Sequence, residues 1–217
     1  HGSRGYGGFF DVMLANELEL ERIGEMVAAT SAAGTWNVPT QVLVEQLVST
    51  ASVEDLRNRP EMKYMPKQTV NNWAASKEAQ IAERGFDAGI AALAIKYRRK
   101  LILALHESGA RLLLGSDAPQ IFNVPGFSAH RELEVLVASG LTPFEALQTG
   151  TAAVAEFFGT NAGYVQEGKD ADLVLLDANP LEDIQNSRRI HGVMLRGVWL
   201  SGKTLQERLE RFDRGNG

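Results

Sequence analysis

The stretch Arg111-Leu112-Leu113-Leu114-Gly115-Ser116-Asp117-Ala118-Pro119 decides how the 217-residue chain is read. A run of apolar residues bounded by Gly109 and Pro119 is a buried strand, and it ends in a turn of small residues that carries a single carboxylate. Upstream, Phe86, Ile90, Leu93, Tyr97, Leu101 and Leu105 recur at three- and four-residue intervals, which predicts a long helix over 78–108 closed by Gly109. Downstream, helices are expected over about 128–139 and 142–149, then a short one over about 151–158. The second opens with Thr142 as N-cap, Pro143 at the first helical position and Glu145 completing a capping box.

The same grammar occurs earlier in the chain. A helical pattern runs from Asn16, with Glu19 three residues on, to a stop at Gly34. The segment Trp36-Asn37-Val38-Pro39-Thr40-Gln41-Val42-Leu43 then reads as a strand with Pro39 near its start or at a bulge. Residues 49–77 are polar and irregular, interrupted by Pro60 and Pro66, and a connection of that length is usually functional or mobile. Helices alternating with single buried strands predict a parallel sheet in a layered α/β fold or a barrel. After Gly159 the pattern changes to strands and turns: Gly163-Tyr164-Val165, Ala171 to Asp177, and Val193 to Leu200, before a charged amphipathic helix from Leu205 to Arg214. This is the texture of a small β unit.

Composition excludes several classes of function. With 22 Lys+Arg against 27 Asp+Glu and a formal net charge of −5, no basic patch suited to nucleic acid stands out. No run approaches the roughly 20 apolar residues of a membrane span. The chain opens with no charged and apolar leader, and His1-Gly2-Ser3 reads as the end of a polyhistidine tag with a cloning scar. The absence of cysteine removes disulfides and thiolate chemistry but leaves the compartment open.

Asp117 heads the candidate residues, because the edge where a parallel strand hands over to its loop is the catalytic face of an α/β barrel. A carboxylate there can bind a divalent ion and take a proton from water; equally, an Asp in this position can cap a helix or close a turn. The four histidines form neither an H-x-H nor an H-E-x-x-H pair. His106, near the end of the long helix, suits an interaction with the helix dipole, and His191 suits the surface. His130, in the loop-to-helix segment after the Asp117 strand, faces either a substrate or local partners. Gly5-Tyr6-Gly7-Gly8 lacks the ending of a phosphate-binding loop.

Several segments together resemble the amidohydrolase superfamily: Leu114 to Pro119, Pro125 to Glu134, Gly140 to Leu147, the turn Gly168-Lys169-Asp170-Ala171-Asp172-Leu173-Val174, and Asn179-Pro180-Leu181. The chain is most similar to the imidazolonepropionase-like and prolidase-like branch, and Arg59-Pro60-Glu61-Met62-Lys63-Tyr64 is similar to a sub-branch of it. The resemblance implies a partial TIM (β/α)8 barrel, about strands 6 to 8 with their helices, over residues 4–159. It also implies the closing part of a small β-sandwich with a C-terminal helix over 160–217, with residues 1–3 as the tag remnant. By the same resemblance Asp117 is the eighth-strand metal ligand and the proton acceptor and donor for the hydrolytic water, and Val38 to Leu43 is the seventh strand. Gln41, Tyr64 and His130 are then substrate contacts.

The implied activity is hydrolysis of C–N bonds in small molecules, amide or cyclic amide and including dipeptide-like ones, by water activated on a divalent metal, zinc first among them. The family's first-strand H-x-H pair, fourth-strand Lys or carboxylate and fifth-strand His have no counterpart in the chain, and the sixth-strand His is not carried onto His1. A complete barrel takes roughly 250 residues. The chain is therefore expected to be the C-terminal half of such an enzyme, completed by a missing N-terminal half or as a homo-oligomer. The alternative is a catalytically inactive fragment that serves as a folding or assembly module.

Overall fold

The computed structural model describes Ala15, residues 20–82 and residues 86–215. The expected capping box at Asn16 and the glycines at 5–8 lie outside the described residues.

Two helix-to-strand units form the first part of the fold. Helix α1 (Ile23–Ala32) leads into β1 (Trp36–Asn37), and helix α5 (Ala88–Glu107) leads into β2 (Arg111–Leu112). Both helices stop the same way. The Gly34 and Gly109 N–H groups donate to Ser31 and His106 carbonyls, and the following Thr35 and Ala110 N–H groups donate to Thr30 and Leu105. This double closure needs a left-handed residue, which glycine supplies at φ 62° and 76°. The strands then pair in parallel, Trp36 with Arg111 and Asn37 with Leu112, as the alternation of helices and strands predicts. The chain stays extended beyond β2: Leu113 N–H donates to the Asn37 carbonyl at 2.9 Å and Leu114 N–H to that of Thr149 at 3.0 Å.

The expected strand from Trp36 to Leu43 is corrected, because only Trp36 and Asn37 join the ladder. Pro39 removes an amide donor, Thr40 turns left-handed at φ 45°, and Gln41–Val48 forms helix α2. Six of its eight residues are buried: Gln41, Val42, Leu43, Val44, Gln46 and Val48. A continuous apolar run fits a buried strand or a buried helix equally well by periodicity. The choice is settled by caps from distant parts of the chain. The Glu132 carboxylate accepts the backbone N–H of Gln41 at 3.0 Å and of Val42 at 2.6 Å, while Thr40 supplies no side-chain cap. At the other end, the fully buried Lys77 ammonium donates to the carbonyls of Gln46 and Leu47. An accepting carboxyl at the N-terminus and a donating ammonium at the C-terminus meet the helix's unpaired backbone groups.

The irregular connection expected over 49–77 is also corrected. It contains α3 (Val53–Arg57), a 3-10 turn (Pro60–Tyr64) and α4 (Lys67–Ala82). Ser52 caps α3 by accepting the Asp55 N–H at 3.0 Å. Helix α4 buries only Trp73, Ala74 and Lys77, a stripe too sparse to read as a periodic apolar face. The long helix expected over 78–108 is two elements, since Phe86 and Asp87 are non-helical and Asp87 caps α5 by accepting from Gly89 and Ile90.

The following helices fall close to expectation: α6 (Phe127–Ala138), α7 (Pro143–Thr149) and α8 (Ala152–Phe158). The capping box forms, with Thr142 accepting from Glu145 N–H and Glu145 accepting from Thr142 N–H. Those bonds, with the His106 imidazole 3.1 Å away, hold the Glu145 carboxyl down to about 2.

The last part is a three-stranded antiparallel sheet in the order β3-β4-β5, formed by Leu173–Leu176, Ile190–Leu195 and Val198–Ser201. The single strand expected over Val193 to Leu200 is in fact a hairpin. Arg196 and Gly197 both adopt positive φ, at 51° and 77°, the two-residue turn that matches the twist of antiparallel strands. Gly163 to Val165 is not a strand. Helix α9 (Gly202–Gly215) packs on β4 and β5 and reaches the 3-10 turn Pro60–Tyr64. Among the described residues, no helix is long and apolar enough to cross a membrane.

One core cluster gathers Ile102, Leu105, Leu112, Leu133, Leu136 and Ala146, and a second gathers Leu56, Met62, Trp73, Ala74, Phe122 and Val124. Helix α2 lies against α5 and α6, so its caps tie the first half of the described chain to the second. Removing the Glu132 acceptor leaves two buried N–H groups unpaired, and Glu132→Ala is expected to lower unfolding stability by about 2–4 kcal/mol in urea titration. Burial pushes the Glu132 carboxyl up from 4.5 to about 7, with the Gln41 and Val42 N–H groups pulling it back. The folded chain therefore holds an extra proton between those values. The associated stability is present below pH 4.5 and falls, by on the order of 3 kcal/mol, as pH rises through about 7. Glu132→Gln is expected to abolish that slope in unfolding free energies measured from pH 4 to 8.

Candidate active site

The C-terminal ends of β1 and β2 lie side by side, because the strands are parallel. Their approach is close: a Cβ on Gly115 would stand 2.3 Å from Val38 Cγ1, so only glycine fits unless Val38 moves. Beyond Gly115 the chain turns outward and presents Asp117 with an exposed side chain and a left-handed backbone at φ 50°. The loop continues through a cis Ala118–Pro119 peptide to Ile121 and Phe122, and then into α6.

Polar contacts hold this loop from behind. Asn123 is fully buried and its Nδ2 donates to the Ser116 carbonyl at 2.6 Å. The Ser116 hydroxyl lies 2.8 Å from that of Ser128, itself buried in the first turn of α6. Phe122 is buried on Trp73, with ring centroids 5.8 Å apart.

Tyr64, at the end of the Pro60–Tyr64 turn, comes beside the same loop: its ring stacks on Phe127, the first residue of α6, at 5.4 Å and 16°. Lys63 Nζ lies 5.0 Å from the Tyr64 ring centroid. Behind them Glu61 is buried and paired with Arg131 of α6. Arg59, close to both, is held below the usual guanidinium value by burial and then by the Arg131 charge.

Gln41 and His130 are placed elsewhere. Gln41 is fully buried; its Oε1 accepts from Arg98 Nε at 2.8 Å and its Nε2 donates to Glu45 at 3.1 Å. Glu45 in turn accepts from Arg99 Nε and Nη2 at 2.8 and 2.7 Å, and Arg98 also donates to the Pro39 carbonyl in the loop after β1. The His130 ring points its Nδ1 at the Ser187 hydroxyl, 3.0 Å away on the 3-10 turn Ile184–Arg188. Burial, then the Arg188 charge, hold His130 below the ordinary histidine value, which favours the neutral ring. Arg188 also pairs with Glu134 at 2.6 Å, so this side of α6 meets the 3-10 turn that links β3 to β4.

Sequence reading missed Glu132, Ser128, Asn123 and Arg98. A signal existed for two of them, since Ser128, Glu132 and the core residue Leu136 recur every four residues and share one face of α6. A carboxylate on an apolar stripe marks a buried partner. No comparable signal marks Asn123 or Arg98.

Among the described residues, no group of three or more His, Asp or Glu is placed to hold a metal ion. Asp117 offers one ligand, whereas a catalytic zinc takes three from protein, so the described residues fit part of a donor set and not a complete one.

The amidohydrolase family model matches residues 25–200, and the chain belongs to that family. The family generally uses divalent metals. Ochratoxinase of Aspergillus niger is 35% identical over 101 residues, covering 45% of this chain and 20% of that protein. The chain thus spans a fifth of the length of the curated relatives it matches. Among solved structures, bottromycin amidohydrolase is similar with a TM-score of 0.65 and 25% identity, over 94% of this chain and 46% of the other. A Xaa-Pro dipeptidase with methionine bound in its active site is similar with a TM-score of 0.56 and 20% identity, over 82% and 37%. The expectations of the superfamily and of a mixed α/β fold are met by these matches.

The Gly115–Val38 contact sets the spacing of the two strand ends. Gly115→Ala is expected to destabilise the fold by about 1–3 kcal/mol through overpacking. Val38→Ala in the same chain is expected to restore most of the loss, read as a positive coupling in a double-mutant cycle of denaturation midpoints.

Proposed function

We propose that the chain is the C-terminal part of a metal-dependent amidohydrolase that hydrolyses amide or cyclic amide bonds of small molecules, dipeptide-like substrates among them. In this reading residues 4–159 are closing strands and helices of a (β/α)8 barrel, and 160–217 complete a small β-sandwich. The observation that carries it is the placement of Asp117: an exposed carboxylate on a braced turn at the C-terminal edge of a parallel strand, in a chain that belongs to the amidohydrolase family. The relatives support the bond type, since they include an amidohydrolase and a dipeptidase.

Asp117 is the metal ligand and general base. Its carboxylate takes a proton from water as the new C–O bond forms and returns it to the nitrogen as the C–N bond breaks, leaving a carboxylic acid and an amine. A divalent ion, zinc in this proposal, supplies the acidity that makes such water reactive at neutral pH. The ligands that Asp117 needs beside it come, in this proposal, from a missing N-terminal half or from a second copy of the chain. Tyr64, stacked on Phe127 beside the Asp117 loop, is the substrate contact this reading retains. Gln41, whose side-chain amide is bound by Glu45 and Arg98, and His130, whose Nδ1 is on Ser187, are assigned no substrate contact.

Asparagine tolerates the left-handed backbone that Asp117 adopts, so Asp117→Asn should keep the fold. In the complete protein, assayed with N-acyl amino acids and dipeptides, Asp117→Asn is expected to lower kcat roughly a thousandfold with an unchanged thermal midpoint. Chelation should abolish turnover and a divalent ion should restore it. Turnover that survives Asp117→Asn overturns the role given to Asp117 and favours a folding or assembly role for the chain, and turnover that ignores chelation overturns the metal dependence.

A further inference from the structure

The loop that carries Asp117 holds three non-glycine residues in the left-handed region: Asp117 at φ 50°, Ile121 at 27° and Phe122 at 58°. L-residues avoid this region, a β-branched one most of all, and remain there only where the surroundings over-determine the backbone. Here the surroundings form two anchors. Phe122 is locked by burial against Trp73. Asn123 then bridges the two legs of the loop, its Nδ2 on the Ser116 carbonyl at 2.6 Å and its own N–H on the Gln120 carbonyl at 2.7 Å. Ser116 precedes Asp117, and its hydroxyl meets Ser128 at 2.8 Å. The carbonyl and the hydroxyl of the residue before Asp117 are therefore both held.

The cost of this arrangement is visible. Asn123 Oδ1 is buried with no hydrogen-bond partner among the described residues. A half-satisfied buried amide lowers stability relative to a well-packed apolar side chain, so a stable core alone does not account for asparagine at this position. What an apolar residue cannot provide is the donor to Ser116.

We infer that Asn123, with Ser128 behind Ser116, is a positioning residue that fixes the peptide leading into Asp117 and so aims its carboxylate. This rests on the role proposed above for Asp117. Misplacing a reacting group by about an ångström costs on the order of a hundredfold in rate. In the complete protein, Asn123→Ala is therefore expected to lower kcat roughly a hundredfold while KM stays within about twofold. Ser128→Ala, which removes one hydroxyl, should act in the same direction by about tenfold. In an Asp117→Asn background, Asn123→Ala should cause no further loss, because a residue acting only through Asp117 has nothing left to position.

A direct readout accompanies the kinetics: in a crystal structure of Asn123→Ala without substrate, Asp117 should leave the left-handed region. The inference is overturned if Asn123→Ala lowers only the thermal midpoint while kcat per folded molecule is kept, if the losses multiply in the double variant, or if Asp117 keeps its φ. Should Asn123→Ala not fold, Ser128→Ala carries the same test with the same criteria. Activity that persists in Asp117→Asn alone marks the different failure, that of the assigned role of Asp117.

Discussion

Helix α2 is closed at both ends by ionisable side chains from distant parts of the chain, and the packing around it rests on that closure. Glu132 receives the first amides of the helix and Lys77 donates to its last carbonyls. An eight-residue helix has too few internal hydrogen bonds to stand alone, and this one is buried, so water cannot serve its ends. Without those two groups a polar backbone would be stranded in the core at both termini. With them, α2 becomes the piece against which α5 and α6 pack.

That closure propagates to the candidate site through short, named contacts. Fixing the start of α2 fixes Thr40 and, with Arg98 on the Pro39 carbonyl, the turn after β1. The turn sets Val38, which fills the space above Gly115 on the neighbouring strand. Two residues later stands Asp117. From the other direction, Phe122 in the second core cluster and Ser128 on α6 pin the far leg of the same loop. Helix α6 serves three ends at once: Ser128 toward the loop, Glu132 toward α2, and His130 and Glu134 toward the 3-10 turn Ile184–Arg188.

How much of this was legible in the chain follows from where the determining contacts lie. The Thr142-Pro143-Glu145 start of α7, the glycine stops at Gly34 and Gly109, and the β2 strand are local, and each is where the residues place it. The helix at Gln41–Val48 is decided by Glu132, 91 residues away, and a window of neighbouring residues contains no trace of that choice. Helix α4 hides for a different reason, since only three of its side chains are buried. The hairpin at Arg196-Gly197 was hidden because an arginine occupies the left-handed position that glycine or asparagine usually marks. At the site, Asp117 was visible from its place at a strand end, and Glu132 could have been found from its spacing with Leu136. Asn123 could not, because its meaning depends on the loop folding back onto Ser116.

The distance between α2 and its caps also orders events while the chain is being made. At a synthesis rate of roughly 5–20 residues per second, the 91 residues between Gln41 and Glu132 take about 5–18 seconds to emerge. Throughout that interval Val42-Leu43-Val44 and Leu47-Val48 are outside the ribosome without the carboxyl that closes the folded helix, a short apolar segment left in water in an unfinished chain. Residue 132 is thus the point in synthesis at which this apolar segment gains the group that lets it be buried as a helix.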